Sequence, residues 1–467
     1  MDFSSITFLF FLLPVSVILY YIVPKRLKNA ALLLISLLFF AWGTPEYLVL
    51  IVCSILFNYF TALEIDAHRR GKRMGSAKLV LTVSVILNVL LLGFFKYYGF
   101  LVENLNAIFG TSWTASELPV PIGVSFYTFT LLSYLFDIYR GKAPASENLM
   151  QFSLYVTFFP KLISGPIVQY ADIDEQLKHR EFSWELFGSG AREFLIGLGK
   201  KVLLANLLGT TFYAVTALPL SEVNFVSAWV GALSYSLMLY LDFGGYSEMA
   251  IGLSKMFGFE FKKNFDYPYM SESITDFWRR WHISLGAWFR EYVYFPLGGS
   301  RVGTAKTIRN LFVVWALTGI WHGANWTFIV WGLYHGVLQI LEKFVLKKQI
   351  ERLPKLLKQI LTVFLVIIGW VFFFSDSLGM ALSWLGRMFF FNGIGDAAAL
   401  YYLGGCWLLL LISAFASYPL GAVIGNNLLR RGGIWKAVSI VFFAAILVFC
   451  LACMMNDTYS TFLYAQF

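Results

Sequence analysis

The chain has 467 residues, of which 58% are hydrophobic, 19% aromatic and only 13% charged, with a formal net charge of +9. Soluble domains carry about 25% charged residues, so the composition excludes a soluble globular protein and points to one polytopic, all-α membrane domain. The basic excess does not indicate a nucleic-acid partner: Lys and Arg sit in short loops between apolar runs, the positive-inside pattern, where they also meet anionic lipid headgroups.

In chain order, residues 6–23 make a bilayer-length span. With no basic n-region and no small-residue cleavage site, it reads as a retained helix rather than a signal peptide. KRLKN (25–29) follows, so the N-terminus is expected outside and this loop inside. The stretch 30–62 is broken at Gly43-Thr44-Pro45, which predicts two spans joined by an outer turn and ending on the basic HRRGKR (68–73). A span over 79–95, a polar outer segment to about Leu118 and a returning span over 120–138 come next. FFPKLISGPI (158–167) places two prolines, a glycine and a lysine in an apolar stretch. Broken backbone lies at membrane depth only when enclosed by protein or beside a water-filled cavity, so a re-entrant segment is expected there. Residues 171–201 read as amphipathic and cytoplasmic, followed by spans near 202–218 and 224–241.

From 261 to 310, Lys262, Lys263, Arg279, Arg280, Arg290, Arg301, Lys306 and Arg309 interleave with Trp278, Trp281 and Trp288. That pattern predicts an amphipathic helix on the cytoplasmic interface. An apolar stretch at 311–342, a basic loop at 343–358 and spans over 359–374, 379–391, 400–418 and 437–454 bring the expectation to 11 to 13 membrane segments, with the C-terminal tail outside. No internal repeat is visible, which weighs against a repeat-built transporter. Cys450 and Cys453 form a C-x-x-C in an apolar run without a ligand cluster, so packing rather than a disulfide or metal is expected of the four cysteines.

Five histidines are present. His68 and His179 fall in polar basic loops and read as solvated. His322 lies in ALTGIWHGANW (316–326), between Arg309 and Lys343, which both read as cytoplasmic. The 33 residues between them are fewer than the roughly 40 that two full spans require. A short hairpin with His322 near its apex is therefore predicted. Thirteen residues beyond Arg309, at about 1.5 Å each, put it roughly 20 Å in, past the midplane of a core about 30 Å thick. A histidine there is costly unless it faces a cavity or a partner, so it reads either as catalytic or as a hydrogen-bonded structural residue. Gly319, Gly323 and Asn325 beside it indicate close backbone approach and a polar lining. His282, in DFWRRWHISLGAWFREY (276–292), reads as interfacial on sequence alone, and His335, before Gly336 in an aromatic helix, as packing. Asp242 and Glu248, in LYLDFGGYSEMAIGL (239–253), are functional candidates by default at membrane depth. Their alternative is a structural pair with a nearby arginine. There is no P-loop, G-x-S-x-G elbow or H-E-x-x-H helix. A buried imidazole suits general-base work on a hydroxyl, and acyl transfer from a thioester needs such a base in a site that excludes water.

Four stretches resemble the membrane-bound O-acyltransferase family, in its bacterial alginate O-acetyltransferase branch: PIGVSFYTFTLLSYLFDIYRG (121–141), FFPKLISGPI (158–167), YLDFGGYSEMAIGLSKMFGFEFKKNFDYPY (240–269) with SITDFWRRWHISLGAWFREYVYFPLGG (273–299), and LTGIWHGANWTFIVWGLYHG (317–336). The resemblance covers most of 121–336. It implies a single membrane domain over 1–467 with re-entrant segments and interfacial helices, set in the bacterial cytoplasmic membrane. It implies that His322 is the catalytic histidine and His282 a second functional one, with Asp242, Asn325, Trp321 and Arg279 as candidates for lining or supporting a tunnel. It also implies acetyl-CoA as the acyl donor with no bound cofactor or metal, a polysaccharide acceptor, and an extracytoplasmic acetyltransferase or esterase-like partner protein. Teichoic-acid D-alanylation proteins share a similar pattern, so D-alanyl or lipid acyl transfer is the alternative on the same fold. A channel or transporter is the alternative without chemistry. One departure is Lys161, where related segments often read FFPQ; it either lines the donor entrance or is neutral. The ending TFLYAQF (461–467) resembles the aromatic terminus of the small partner protein in D-alanylation systems. Ten extended residues from Met454 to Tyr464 reach at most about 35 Å, enough to fold back on an outer cavity mouth. Tyr464 is thus a candidate acyl relay, against the alternative of an ordinary interfacial tyrosine.

Overall fold

The computed structural model describes residues 2–115, 119–389 and 392–455. Among them there is no β-strand, and eight helices are long and apolar enough to cross a membrane, with a shorter apolar helix at Phe8–Ile22. The all-α polytopic architecture expected from composition is the one adopted. The eight are fewer than the segments predicted, because the remaining segments fall in helices too short or not apolar enough to cross alone. The residues group into two compact units, one running up to Ala191 and including Ala250–Lys262, the other made of Arg192–Met249 and the residues from Lys263 on.

In the first unit, α1 (Leu13–Ile22), α2 (Lys28–Gly43) and α3 (Leu48–Arg70) follow the apolar pattern, and α2 stops at Gly43-Thr44-Pro45 as predicted. α4 (Met74–Phe109) overruns its predicted span: residues 96–109, read as an outer loop, continue the helix because no proline interrupts it before Gly110, whose φ of +65° ends it. α5 (Val124–Arg140) begins after Gly123, where φ is +70° and a Cβ would stand 2.4 Å from the Leu162 carbonyl oxygen. Glycine alone fits that crossing. α6 (Leu149–Thr157) and α7 (Phe159–Leu162) form the broken element expected around FFPKLISGPI, and every residue from 158 to 168 is buried. Protein therefore encloses the irregular backbone. Lys161 is buried within it, its Nζ 4.7 Å from the centroid of the Tyr155 ring. α8 (Tyr170–Lys178) is the amphipathic helix predicted there, and α9 (Trp184–Gly199) follows.

In the second unit, α9 runs through a π-helical turn, Lys200–Ala205, into α10 (Asn206–Thr216). Residues 171–201 thus do not form a separate segment: from Trp184 onward they join a continuous 33-residue helix apolar enough to cross. α11 (Phe225–Met256) does not end at 241 but carries Asp242 and Glu248 within its length. The reason is charge neutralisation. A Cβ on Gly197 would lie 2.3 Å from the Gly245 carbonyl oxygen, so α9 and α11 touch backbone to backbone. That approach sets Lys200 Nζ 2.5 Å from Glu248 Oε1 and Lys201 Nζ 2.5 Å from Asp242 Oδ1. The partners are lysines, not the arginine expected.

The basic stretch after 261 is not one amphipathic helix. α12 (Ile274–Arg280), α13 (Ile283–Phe289) and a π-helical turn, Arg290–Tyr294, break it into short pieces. α14 (Thr304–His322) and α15 (Trp326–Phe344) form the predicted hairpin. α16 (Lys347–Arg352), α17 (Lys355–Phe374), α18 (Leu378–Met388), α19 (Ala397–Ala416), α20 (Leu420–Arg431) and α21 (Ile434–Met455) complete the unit. At 11 residues α18 is too short for the span predicted over 379–391. Its Trp384 is instead wholly buried in a core with α10, α11 and α17.

Asp242→Leu leaves Lys201 buried without its counter-charge and is expected to cost about 3–5 kcal/mol, while Asp242→Leu with Lys201→Met recovers most of the loss. Thermal unfolding of the detergent-solubilised protein distinguishes the two; equal losses would show that the ion pair is not what the fold depends on.

Candidate active site

The described candidate residues lie in the second unit, and the α14–α15 hairpin places His322. The two helices meet without side chains between them. A Cβ on Gly319 would stand 2.5 Å from the Phe328 carbonyl oxygen, and one on Gly332 2.4 Å from that of Trp315. α14 ends on His322, Gly323 continues in extended backbone, and Asn325 caps α15 by accepting from the Thr327 N–H at 3.0 Å. The Asn325 amide also donates to the Asp376 carbonyl at 2.9 Å, which fixes the turn. His322 therefore stands at the apex of the hairpin, 1% exposed, as its position in the sequence predicted.

Aromatic rings close around it. Trp321, Trp331 and Phe373 have ring centroids 5.0, 4.8 and 5.3 Å from that of His322, all near edge-on. Trp331 stacks at 5.9 Å on Trp370, and both are fully buried. α15 and α17 supply this side of the shell. None of these rings carries a charge, so the imidazole is the basic group of an apolar enclosure.

His282 is built differently. It sits between α12 and α13 at φ +44° and ψ +55°, a left-handed conformation that is strained for a residue with a Cβ. Asn264 holds it there. The Asn264 Oδ1 accepts from the Ser284 N–H at 3.1 Å and from the Ser284 hydroxyl at 2.8 Å, and lies 3.3 Å from His282 Nδ1. A backbone N–H can only donate, so this oxygen is an acceptor and Nδ1 carries the proton toward it. Nε2 is then the nitrogen with the lone pair. Burial pushes the imidazole well below its ordinary range, which keeps it neutral. Its ring packs on Phe243 at 4.8 Å and Trp321 at 6.2 Å. Trp321 is thus an indole in ring contact with both histidines.

His335 belongs to the packing. Its Nδ1 accepts from Trp278 Nε1 at 3.3 Å, and Trp278, Trp315 and Trp331 surround it. α12 presents Trp278 because Glu342 of α15 accepts from the Ile274 N–H at 2.7 Å, a carboxylate at the positive end of the helix. Arg279, one residue on, is exposed on α12 and is not brought to the histidines, whereas Arg280 pairs with Asp276 at 3.0 Å. Asp242 serves the ion pair with Lys201, and Asn325 serves the cap. Tyr464 lies outside the described residues. Among the described residues no three His, Cys, Asp or Glu side chains cluster as metal ligands would. Sequence reasoning passed over Asn264, Glu342 and Trp331. Nothing in FKKNFDYPY marks Asn264, because its partner at position 282 is contacted through folding alone.

Comparison with known proteins gives the family. The model of the MBOAT, membrane-bound O-acyltransferase, family matches residues 142–383. A protein of Azotobacter vinelandii named "Probable alginate O-acetylase" is 44% identical over 399 residues, covering 84% of this chain and 79% of its own length. The peptidoglycan O-acetyltransferase of Helicobacter pylori is 36% identical over 428 residues, covering 84% and 80%. The teichoic acid D-alanyltransferase of Bacillus subtilis is 28% identical over 317 residues, covering 65% and 78%.

Asn264→Ala is expected to release the His282 ring and to cost about 1–3 kcal/mol of stability, the penalty of leaving buried donors unsatisfied. Histidine ¹⁵N NMR should show one His282 tautomer in the wild type and a mixture in the variant. An unchanged tautomer would mean that the Asn264 contact does not set the ring.

Proposed function

The chain belongs to the membrane-bound O-acyltransferase family, and on that premise we propose that it moves an acetyl group from acetyl-CoA toward hydroxyls of an exported, alginate-like polysaccharide. The observation that carries the acetyl reading is the 44% identity, over 84% of the chain, to a relative named for alginate O-acetylation. A second relative, at 36%, is named for O-acetylation of peptidoglycan. The relative named for D-alanyl transfer is more distant, at 28% over 65% of the chain, and keeps that donor as the second reading.

In the proposed reaction the His322 imidazole takes the proton of the acceptor hydroxyl as its oxygen attacks the thioester carbonyl. The carbon–oxygen bond forms, the carbon–sulfur bond breaks, and the departing thiolate receives the proton from the imidazolium. The aromatic shell would keep water from competing for the thioester. His282, neutral and fixed by Asn264, is suited to donate no charge but to accept a hydrogen bond through Nε2, which makes it an orienting partner rather than the main base. The proposal places the protein in the bacterial inner membrane with the donor on the cytoplasmic side and both chain termini outside. A soluble extracytoplasmic acetyltransferase would then complete delivery to the polymer.

Radiolabelled acetyl-CoA given to membranes with acceptor polysaccharide should yield labelled product with the wild type. His322→Ala should lower the rate by about 10²–10⁴-fold, the contribution of a positioned general base. Equal labelling by wild type and variant would remove His322 from the chemistry, and labelling only from a D-alanyl carrier thioester would replace the donor.

A further inference from the structure

The first unit holds a cationic recess that no part of the acyl-transfer chemistry uses. Lys28, at the start of α2, places Nζ 4.5 Å from the centroid of the Tyr20 ring and 5.2 Å from that of Tyr21. Both rings are anchored: the Tyr20 hydroxyl donates to the Phe257 carbonyl at 2.8 Å, and the Tyr21 hydroxyl to that of Met256. Arg180 faces the same recess. It donates to the Gln176 carbonyl at 2.6 Å, to Asn29 Oδ1 and to the Tyr20 hydroxyl at 3.4 Å, and it lies 4.2 Å over the Phe259 ring. Those three bonds leave two of its five N–H donors.

Lys28 has like charge beside it. Arg180 and Lys25 both stand close enough to repel it, and Lys255 lines the recess as well. Glu181 is the one acid among the lining residues, and among the described residues no carboxylate comes within 4.0 Å of Lys28 or Arg180. Cations gathered in this way at a surface recess attract an anion. A partly engaged guanidinium beside an ammonium is a pairing that suits phosphate oxygens. The surroundings set the depth. Tyr21 meets Phe182 at 5.1 Å, Phe182 meets Trp184 at 4.6 Å, and Phe182 and Trp184 are 44% and 78% exposed. Exposed aromatics of this kind gather at the headgroup level of a bilayer.

We propose that the recess formed by Lys28, Arg180 and Lys255 over Tyr20 and Tyr21 binds a phosphate ester at the membrane surface. Two sources carry that chemistry: the headgroup of an anionic phospholipid, and the 3′-phosphate of a CoA donor. Only the second rests on the acetyl-CoA reading above.

The test uses the full chain with Lys28→Gln, which removes the charge without removing a protein hydrogen bond. Lys347→Gln, at a lysine 70% exposed elsewhere, is the control. In the lipid arm, native mass spectrometry of protein taken from phosphatidylcholine vesicles containing phosphatidylglycerol measures retained phosphatidylglycerol. In the donor arm, equilibrium binding compares CoA with 3′-dephospho-CoA. Lys28→Gln is expected to weaken one of these about fivefold, the worth of one interfacial lysine, with Lys347→Gln unchanged. A loss confined to phosphatidylglycerol identifies the lipid, and it stands even if acetyl-CoA is the wrong donor. A loss for CoA but not for 3′-dephospho-CoA identifies the nucleotide phosphate. Wild-type behaviour of Lys28→Gln in both arms, or an equal loss in Lys347→Gln, overturns the proposal.

Discussion

Asp242 and Lys201 meet at 2.5 Å, and neither side chain is more than 3% exposed. In hydrocarbon such a pair cannot be exchanged for water, so each charge depends on the other, and both depend on the close approach of Gly197 and Gly245 that brings their helices together. The neighbouring pair, Lys200 with Glu248, repeats the arrangement nearer the surface. The histidine site inherits its frame from this contact. Phe243 follows Asp242 directly in α11, and its ring forms one wall of the His282 pocket. A shift of α11 against α9 would move that wall.

The three buried histidines are held by three different devices, and the difference separates their roles. His335 is fixed by an indole N–H on Nδ1, and a Cβ on Gly369 would come within 2.6 Å of its Nε2, so it is enclosed on both sides by protein. His282 is fixed by an amide oxygen and a strained backbone. His322 is placed by the end of its helix, with apolar rings around it. Indoles connect the set: Trp321 lies between His282 and His322, and Trp331 between His322 and His335.

Much of this was legible in the sequence. Composition gave the fold class, Gly43-Thr44-Pro45 gave the break after α2, and the shortage of residues between Arg309 and Lys343 gave the hairpin and the place of His322. These readings rest on chain length and local backbone chemistry, which act close in sequence. The errors came where distant residues decide. Asp242 and Glu248 look like the end of a span until Lys200 and Lys201 neutralise them, so α11 was read too short. α4 was read too short because polarity beyond residue 95 resembles a loop, although a helix can project past the bilayer when nothing breaks it. The stretch after 261 has the charge pattern of an amphipathic helix, but His282 and the turns around it divide the chain. Asn264 and Glu342 act across 18 and 68 residues, on His282 and the Ile274 N–H, and no local pattern announces such partners.

Any route that carries an acyl group through a bilayer also threatens the voltage across it. Moving one elementary charge through 100 mV is worth about 2.3 kcal/mol, so a wet passage would discharge the cell. The rings around His322 bear on this directly. An inorganic ion entering between the rings of Trp321, Trp331 and Phe373 would shed its hydration shell against apolar faces, a loss far larger than the voltage could repay. A flat, neutral acyl group meets no such barrier. On the proposed acyl route the shell around the imidazole would double as electrical insulation, and a small polar residue that opened it would weaken that barrier.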